Sequence, residues 1–235
     1  MVIITGTSRG IGKAVAENYL AKGEHVIGIG RNHTITHANY TAVICDLSQA
    51  AEVEQLTLPD LGSEALIFIH NAGVLGEVNY FEKLSPDEPQ KVMQVNFFAG
   101  ATLLQRLLQL TPKDQSFKAI FISSGAGKNP IASWASYCAS KAAVDLFCQV
   151  IQLEEQQLGR PDFHCLSVAP GVVDTEMQAG IRSVSEDVFS EVARFQEYKH
   201  SNQLYSPELV SQKLYKLVHH TVLNQVVYSL RDIEL

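Results

Sequence analysis

The first twenty-two residues constrain this chain most. Val2-Ile3-Ile4 is a short apolar run of strand-forming residues. Thr5-Gly6-Thr7-Ser8-Arg9-Gly10-Ile11-Gly12 follows it, and then an amphipathic stretch from Lys13 to Lys22. Strand, glycine-rich turn, helix is the order that a dinucleotide-binding turn requires. Gly6 permits the tight exit from the strand. Gly10 removes a side chain where backbone must approach a pyrophosphate, and Gly12 lets the helix lie close to the sheet. The helix amino terminus then offers unpaired N–H groups and partial positive charge to phosphate. An ordinary glycine-rich turn shares the glycines but requires neither flanking element.

Strand and helix signals alternate along the rest of the chain. Strand candidates are 2–5, 25–30, 42–45, 65–70, 117–122, 162–168 and 225–229. Helix candidates are 11–22, 49–57, 87–110, 134–158 and 207–221. This alternation predicts an α/β chain: a doubly wound, seven-stranded parallel sheet with helices on both faces, the Rossmann fold. At 235 residues the chain can bury one full core, so residues 1–235 are expected to form a single domain. Ser85-Pro86-Asp87-Glu88 and Ser206-Pro207-Glu208 each read as a helix start, with a capping serine, proline at the first position and early acid. Residues 31–41 carry little helical signal, so the helix there is expected to be short or missing. Residues 174–205 break the alternation and mix Met177, Ile181, Val188, Phe189, Val192 and Phe195 with polar residues. They read as an amphipathic helix pair, either packed on the core or closing as a lid over a substrate.

A second segment carries reactive chemistry. Ser124 lies thirteen residues before Tyr137, and Lys141 lies four after it. Four residues on a helix is one turn along the same face. An ammonium beside a phenol favours the phenolate and draws the tyrosine pKa down from about 10. Such a tyrosine can pass a proton to or from an oxygen.

Together these segments resemble the short-chain dehydrogenase/reductase family, whose glycine motif T-G-x-x-x-G-x-G residues 5–12 match in full. Other family landmarks follow in order: Asn71-Ala72-Gly73 after an apolar strand, Asn96 in a helical stretch, Ser123-Ser124 at a strand end, and Pro170-Gly171-Val172-Val173-Asp174-Thr175. The likeness spans essentially the whole chain. A narrower one, to bacterial benzil reductases and their sepiapterin reductase relatives, lies in residues 123–130, in Trp134 and in residues 169–178.

The resemblance implies carbonyl reduction by hydride transfer, with Tyr137 as general acid and Lys141 tuning it while holding the nicotinamide ribose. It also implies that Ser124 hydrogen-bonds the carbonyl oxygen and that Asn96 anchors a water chain leading to Lys141. Ser124 and Asn96 could instead cap local backbone groups. The implied cofactor-binding set is Gly6, Ser8, Arg9, Gly10, Ile11 and Gly12 in the turn, Asp46 and Leu47 beside the adenine, and Asn71, Ala72 and Gly73 along the ribose–pyrophosphate path. Pro170, Gly171, Val173 and Thr175 complete it near the carboxamide, with Tyr137 and Lys141. Gly30 stands where an acid would accept the ribose 2′-hydroxyl of NAD, and Arg31 follows it. Arg31 and Arg9, two cations without a carboxylate, suit a 2′-phosphate, so NADP(H) is expected over NAD(H). Arg31 could also face solvent or stack on adenine.

The substrate expected is a ketone or 1,2-dicarbonyl on a flat molecule, lined by Trp134, Met177 and Phe189 or Phe195, although such residues are commonly plain core. A pterin would want a pocket carboxylate; Asp174 and Asp232 are the candidates, and neither matches the relatives securely. His33, His37, His219 and His220 read as surface residues without a role. A 3-oxoacyl-thioester reductase and a non-enzymatic dinucleotide sensor are the rival readings. The sensor is disfavoured because Tyr137 and Lys141 both stand.

A net charge of −7 with no basic run argues against nucleic acid and an anionic membrane surface. No apolar stretch is long enough to span a bilayer. With a strand predicted at Val2 no signal peptide is expected, and Cys45, Cys138, Cys148 and Cys165 lack metal-ligand spacing. A cytoplasmic protein with reduced thiols and no metal is therefore expected. Homodimers or tetramers built on helices 87–110 and 134–158 would fit the resemblance.

Overall fold

The computed structural model describes Met1–Leu235 and is built on seven strands. They are β1 (Val2–Thr5), β2 (Val26–Gly30), β3 (Tyr40–Ile44), β4 (Leu66–His70), β5 (Phe117–Ile122), β6 (Phe163–Ala169) and β7 (Val227–Ser229). All pair in parallel in one sheet ordered β3-β2-β1-β4-β5-β6-β7. The reason is legible in the strands themselves. The inner strands β1 and β4 are buried at every position, as strands covered on both faces must be. The edge strand β3 is half exposed.

Successive side chains point to opposite faces. Ile4 joins Ile69, Ile120 and Leu166 on one face, under α1 (Gly10–Ala21) and α8 (Pro207–His220), through Val15, Tyr19, Leu214 and Leu217. Ile3 joins Phe68, Phe121 and Cys165 on the other. That face is covered by α2 (Ala50–Gln55), α4 (Ala99–Leu110) and α5 (Ala135–Gln157), through Val53, Leu103, Leu107, Val144 and Cys148. Burying one such side chain contributes about 1.5–3 kcal/mol, so two full layers hold the sheet rigid. The strand order reverses between β1 and β4. Their carboxyl ends therefore open the crevice where ligands enter doubly wound sheets.

Three local expectations are corrected. The helix expected at 87–110 is divided into α3 (Glu88–Met93), a π-helical segment Gln94–Phe98, and α4. Ser85 caps nothing; its hydroxyl donates to Glu77 Oε1 at 2.5 Å, and the helix begins three residues later. β3 starts at Tyr40, ahead of the expected 42. Ser206 does cap α8, accepting from Leu209 N–H at 3.1 Å. The chain between β2 and β3 has no helix, and residues 174–205 hold the expected pair, α6 (Glu176–Arg182) and α7 (Val192–His200). No helix is long and apolar enough to cross a membrane.

Candidate active site

Tyr137 and Lys141 lie on the first turns of α5, facing inward, and are 8% and 4% exposed. Lys141 Nζ is 5.6 Å from the centre of the Tyr137 ring. Ser124 leaves β5 and opens a 3-10 turn, Gly125–Gly127, with its Oγ accepting from Ala126 N–H at 3.2 Å. The capping reading of this serine is met, and its hydroxyl also faces the Tyr137 phenol. The three side chains line one groove of about 2240 Å³ at the carboxyl edge of the sheet.

The same groove is lined by Gly6, Ser8, Arg9, Gly10 and Ile11, by Arg31, Asp46 and Leu47, and by Asn71, Ala72 and Gly73. Pro170, Gly171, Val173 and Thr175 line it further along, with Trp134, Met177 and Phe195. Gly12, Asn96 and Phe189 stand behind its wall. A Cβ on Gly12, in α1, would overlap the Gly6 carbonyl and the Asn71 amide, so this glycine lets the helix lie close to the carboxyl ends of β1 and β4. Asn71 Nδ2 in turn donates to the Thr5 and Gly6 carbonyls, each at 3.1 Å. Gly6 itself has φ of +74°, open to glycine at no steric cost.

Asn96 sits in the π-helical segment and is 1% exposed. Its Oδ1 accepts from Val74 N–H at 2.8 Å, and its Nδ2 donates to Val74 O and Ser140 Oγ, both at 2.9 Å. The side chain is a clamp between the loop after β4 and α5, with its amide fully committed to protein. His70, which sequence reasoning passed over, completes this clamp. Its Nε2–H donates to Val95 O at 3.1 Å, in the π-helical segment, and its Nδ1 accepts from Thr5 Oγ1 at 3.1 Å. The Thr5 hydroxyl oxygen accepts from Asn71 and Ala72 N–H, each at 3.0 Å. Burial pulls the imidazole down to about 3, aided by the Lys141 charge, so it stays neutral and this tautomer persists. A polar residue ending an otherwise apolar strand, just before Asn71-Ala72-Gly73, was the available signal.

The electrostatics correct one expectation. Burial pushes the Tyr137 phenol above its usual value, with the Ser124 hydroxyl acting in the opposite direction. The phenol is therefore not drawn down by Lys141 in this structure. Lys141 is itself brought down to about 8 by burial, against which Asp145 acts. Its Nζ donates to one carbonyl, Ile122 O, at 2.8 Å.

At the far end, each arginine has a carboxylate neighbour, contrary to the expected pair of cations without one. Arg31 Nη1 lies 4.0 Å from Asp46 Oδ2, and Arg9 pairs with Glu176 at the start of α6. Asp46 is held below the usual carboxylate range, chiefly by the Ser48 N–H. The loop after β2 is pinned by His33, which was expected to be idle. His33 Nδ1 accepts from Tyr40 O–H at 2.7 Å, and the Tyr40 oxygen is 2.7 Å from Thr7 Oγ1 in the glycine turn.

The other end is aromatic. Trp134 stacks on Phe189 at 5.3 Å and 13°, and meets Tyr137 edge-on at 5.6 Å. Phe189 is fully buried and backs the tryptophan, so Phe195 is the phenylalanine of the wall. Ser133, with φ of +69°, donates to Val188 O at 2.6 Å and ties this wall to the segment between α6 and α7. Asp174 is engaged by Lys199 at 2.5 Å and Arg182 at 3.8 Å, while Asp232 is exposed at the mouth.

These residues fit a nicotinamide dinucleotide. Arg9 at the N-cap of α1 makes no side-chain cap bond and the first turn has no acid, which leaves the helix N–H groups to an anion. Gly73 lies beside the catalytic candidates: a Cβ there would touch Asn96 Oδ1 at 3.4 Å and Lys141 Nζ at 3.6 Å.

The short chain dehydrogenase family model matches residues 1–186. The chain belongs to this family of nicotinamide-dependent oxidoreductases, as its motifs led one to expect. It is 33% identical to the benzil reductase ((S)-benzoin forming) of Bacillus subtilis, over 99% of this chain and 98% of that protein. It is 28% identical to the sepiapterin reductase of Bos taurus, over 94% of this chain and 90% of that protein. The crystal structure of the YIR035C short-chain dehydrogenase/reductase from Saccharomyces cerevisiae shares its fold with a TM-score of 0.82 and 28% identity, covering 98% of this chain and 96% of that one.

Proposed function

We propose that the protein reduces a ketone or 1,2-dicarbonyl to an alcohol with NADP(H), and that Tyr137 is the general acid. The observation that carries this reading is the convergence of Ser124, Tyr137 and Lys141 in the groove that also holds the glycine turn. The bound cofactor supplies the hydride. Tyr137 donates its proton to the substrate oxygen. A phenol pushed up by burial is fully protonated at neutral pH, which suits an acid. Ser124 Oγ–H donates to the same oxygen as negative charge grows there. Lys141 stabilises the phenolate left behind and holds the nicotinamide ribose with its remaining donors. Asn96 keeps Lys141 and the loop after β4 in register, and the water path to Lys141 runs past this π-helical segment.

Trp134, Phe195 and Met177 form a flat apolar slot, and the 33% identity to a benzil reductase favours an aromatic 1,2-dicarbonyl. Asp174, engaged by two cations, is a poor partner for a pterin. The α1 N-terminus takes the pyrophosphate, Asp46 and Leu47 flank adenine, and Pro170, Gly171, Val173 and Thr175 seat the carboxamide. Arg31 and Arg9 grip the 2′-phosphate. Their present ion pairs are exposed and worth only about 0–1 kcal/mol each, so a phosphate dianion displaces them. Four free cysteines accord with a reducing, cytoplasmic setting. Exposed Leu146, Val150 and Leu153 on α5 and Phe98 beside α4 support assembly as a dimer or tetramer.

The test is a substrate panel with NADPH and NADH: benzil, an aliphatic diketone and an acetoacetyl thioester. Benzil and the diketone are expected to be reduced, faster with NADPH. Turnover of the thioester alone would replace this reading with a 3-oxoacyl reductase. Tight NADPH binding with no carbonyl reduced would replace it with a dinucleotide sensor.

A further inference from the structure

One buried acid beside the site has no part in the chemistry so far. Tyr137, Lys141 and Asp145 are spaced by four and share one face of α5. Asp145 is 8% exposed. Its Oδ1 accepts from Ser123 Oγ at 2.6 Å and from Ser167 Oγ at 2.5 Å. Both hydroxyls are buried, at the end of β5 and within β6. Its polar partners are thus two neutral donors, not a guanidinium or an ammonium in direct contact. A buried carboxylate with no cation in direct contact is costly to keep.

The surroundings are shaped around it. A Cβ on Gly127 would come 3.0 Å from Asp145 Oδ2 and 2.9 Å from the Lys141 backbone carbon, so the turn after Ser124 closes directly over the Lys141–Asp145 step. Both side chains are almost wholly out of bulk water, and charge acts more strongly between such groups than between exposed ones. Lys141 lacks any other acid. Facing it are Tyr137 on its own helix and His70 from β4, which burial keeps neutral. From β5 comes the Ile122 carbonyl, and from the π-helical segment Asn96, neither of which titrates.

We propose that Asp145 is a positioning residue whose fixed negative charge, held by Ser123 and Ser167, keeps Lys141 an ammonium beneath Tyr137. The consequence for rate rests on the reading of Lys141 and Tyr137 above; the charge coupling itself does not. Burial brings Lys141 to about 8, and without the acid nothing opposes a further fall. The amine would then lose its proton at working pH.

The test begins on the protein without cofactor or substrate. Lys141 is followed by NMR with 15N-labelled lysine across pH 6–11 (assigned through Lys141→Arg). Asp145→Asn keeps both serine hydrogen bonds and removes only charge; it is expected to lower the Lys141 inflection by roughly one pH unit or more. Asp145→Ser is a second neutral variant with the same expectation. Ser167→Ala removes a hydrogen bond but leaves the charge, and should leave the inflection in place. An unmoved inflection in both neutral variants overturns the proposal, as does an equal shift in Ser167→Ala. The basic limb of kcat/KM for carbonyl reduction should move down in Asp145→Asn by the same amount. A shifted titration with an unshifted rate profile would support Asp145 and count against the Tyr137–Lys141 chemistry.

Discussion

Two cations are buried near opposite ends of α5, and the protein treats them differently. Arg160, just past its carboxyl end, is 6% exposed, and Lys141, near its amino end, is 4% exposed. Arg160 donates to the carbonyls of Leu108, Thr111 and Pro112 at 2.7, 2.8 and 3.0 Å, and lies 2.7 Å from Glu155. Lys141 reaches one carbonyl at 2.8 Å and keeps its nearest acid out of direct contact. Burying a charge is tolerable when its donors are matched, and unmatched donors cost stability. Both terminal nitrogens of Arg160 are taken up by carbonyls and its Nε faces Glu155, which ties the end of α4 to the end of α5. Lys141 is left with spare donors, as the proposed role of holding the nicotinamide ribose and the phenolate requires.

The contrast can be broken most sharply at Tyr137. Tyr137→Phe should lower turnover by about a hundredfold or more, within the span of acid–base catalysis, while NADPH still binds by fluorescence titration. Wild-type rates in this variant would mean that the spare donors of Lys141 serve no proton transfer.

Next in size is a stability comparison. Arg160→Leu strands the buried Glu155 and should lower the unfolding free energy by about 3–5 kcal/mol in urea melts, with kcat of the folded protein unchanged. Lys141→Met should cost far less stability, since Asp145 keeps both of its serine hydrogen bonds, while turnover drops. A similar loss of stability in both variants would erase the distinction.

A smaller effect lies in pH. The folded-state value of Lys141 is about 8, below the usual 10.5. Between those values the unfolded chain binds a proton that the folded chain has released, so stability from this group rises as pH climbs through that window. The stability of the wild type relative to Lys141→Met should grow there by on the order of 1–3 kcal/mol. A flat difference from pH 7 to 10 would place Lys141 in a far more polar setting.

The smallest effect on stability is expected at the exposed end of the groove. Arg31→Asp should change stability by no more than about 0.5 kcal/mol, because the pair with Asp46 is loose and solvated. It should nevertheless move the NADPH/NADH preference towards NADH. An unchanged cofactor ratio would assign the 2′ position to another residue.

Some of this was legible in residue order and some was not. The glycine turn and the Tyr137–Lys141 step are local, so spacing alone places them on a turn and on one helix face. The apolar runs of β1 and β4 likewise announce a sheet covered on both sides. His33 and His70 were invisible as participants because their partners, Tyr40, Thr7, Thr5 and Val95, come from other elements. Ser85 looked like a cap, yet Glu77 takes its hydroxyl. The π-helical segment interrupts a stretch whose apolar pattern reads as one continuous helix. Phe189 and Phe195 looked interchangeable until packing put one behind Trp134 and the other on the wall.

By itself, then, the amino-acid sequence determined the class of fold and the chemical groups on offer, since periodicity and short-range spacing act through the backbone of one element at a time. Tertiary structure decided their electrical state. The raised phenol of Tyr137 and the lowered amine of Lys141 depend on water exclusion and on neighbours outside their own helix. Burial and long-range charge are properties of the assembled core, and no single element carries them.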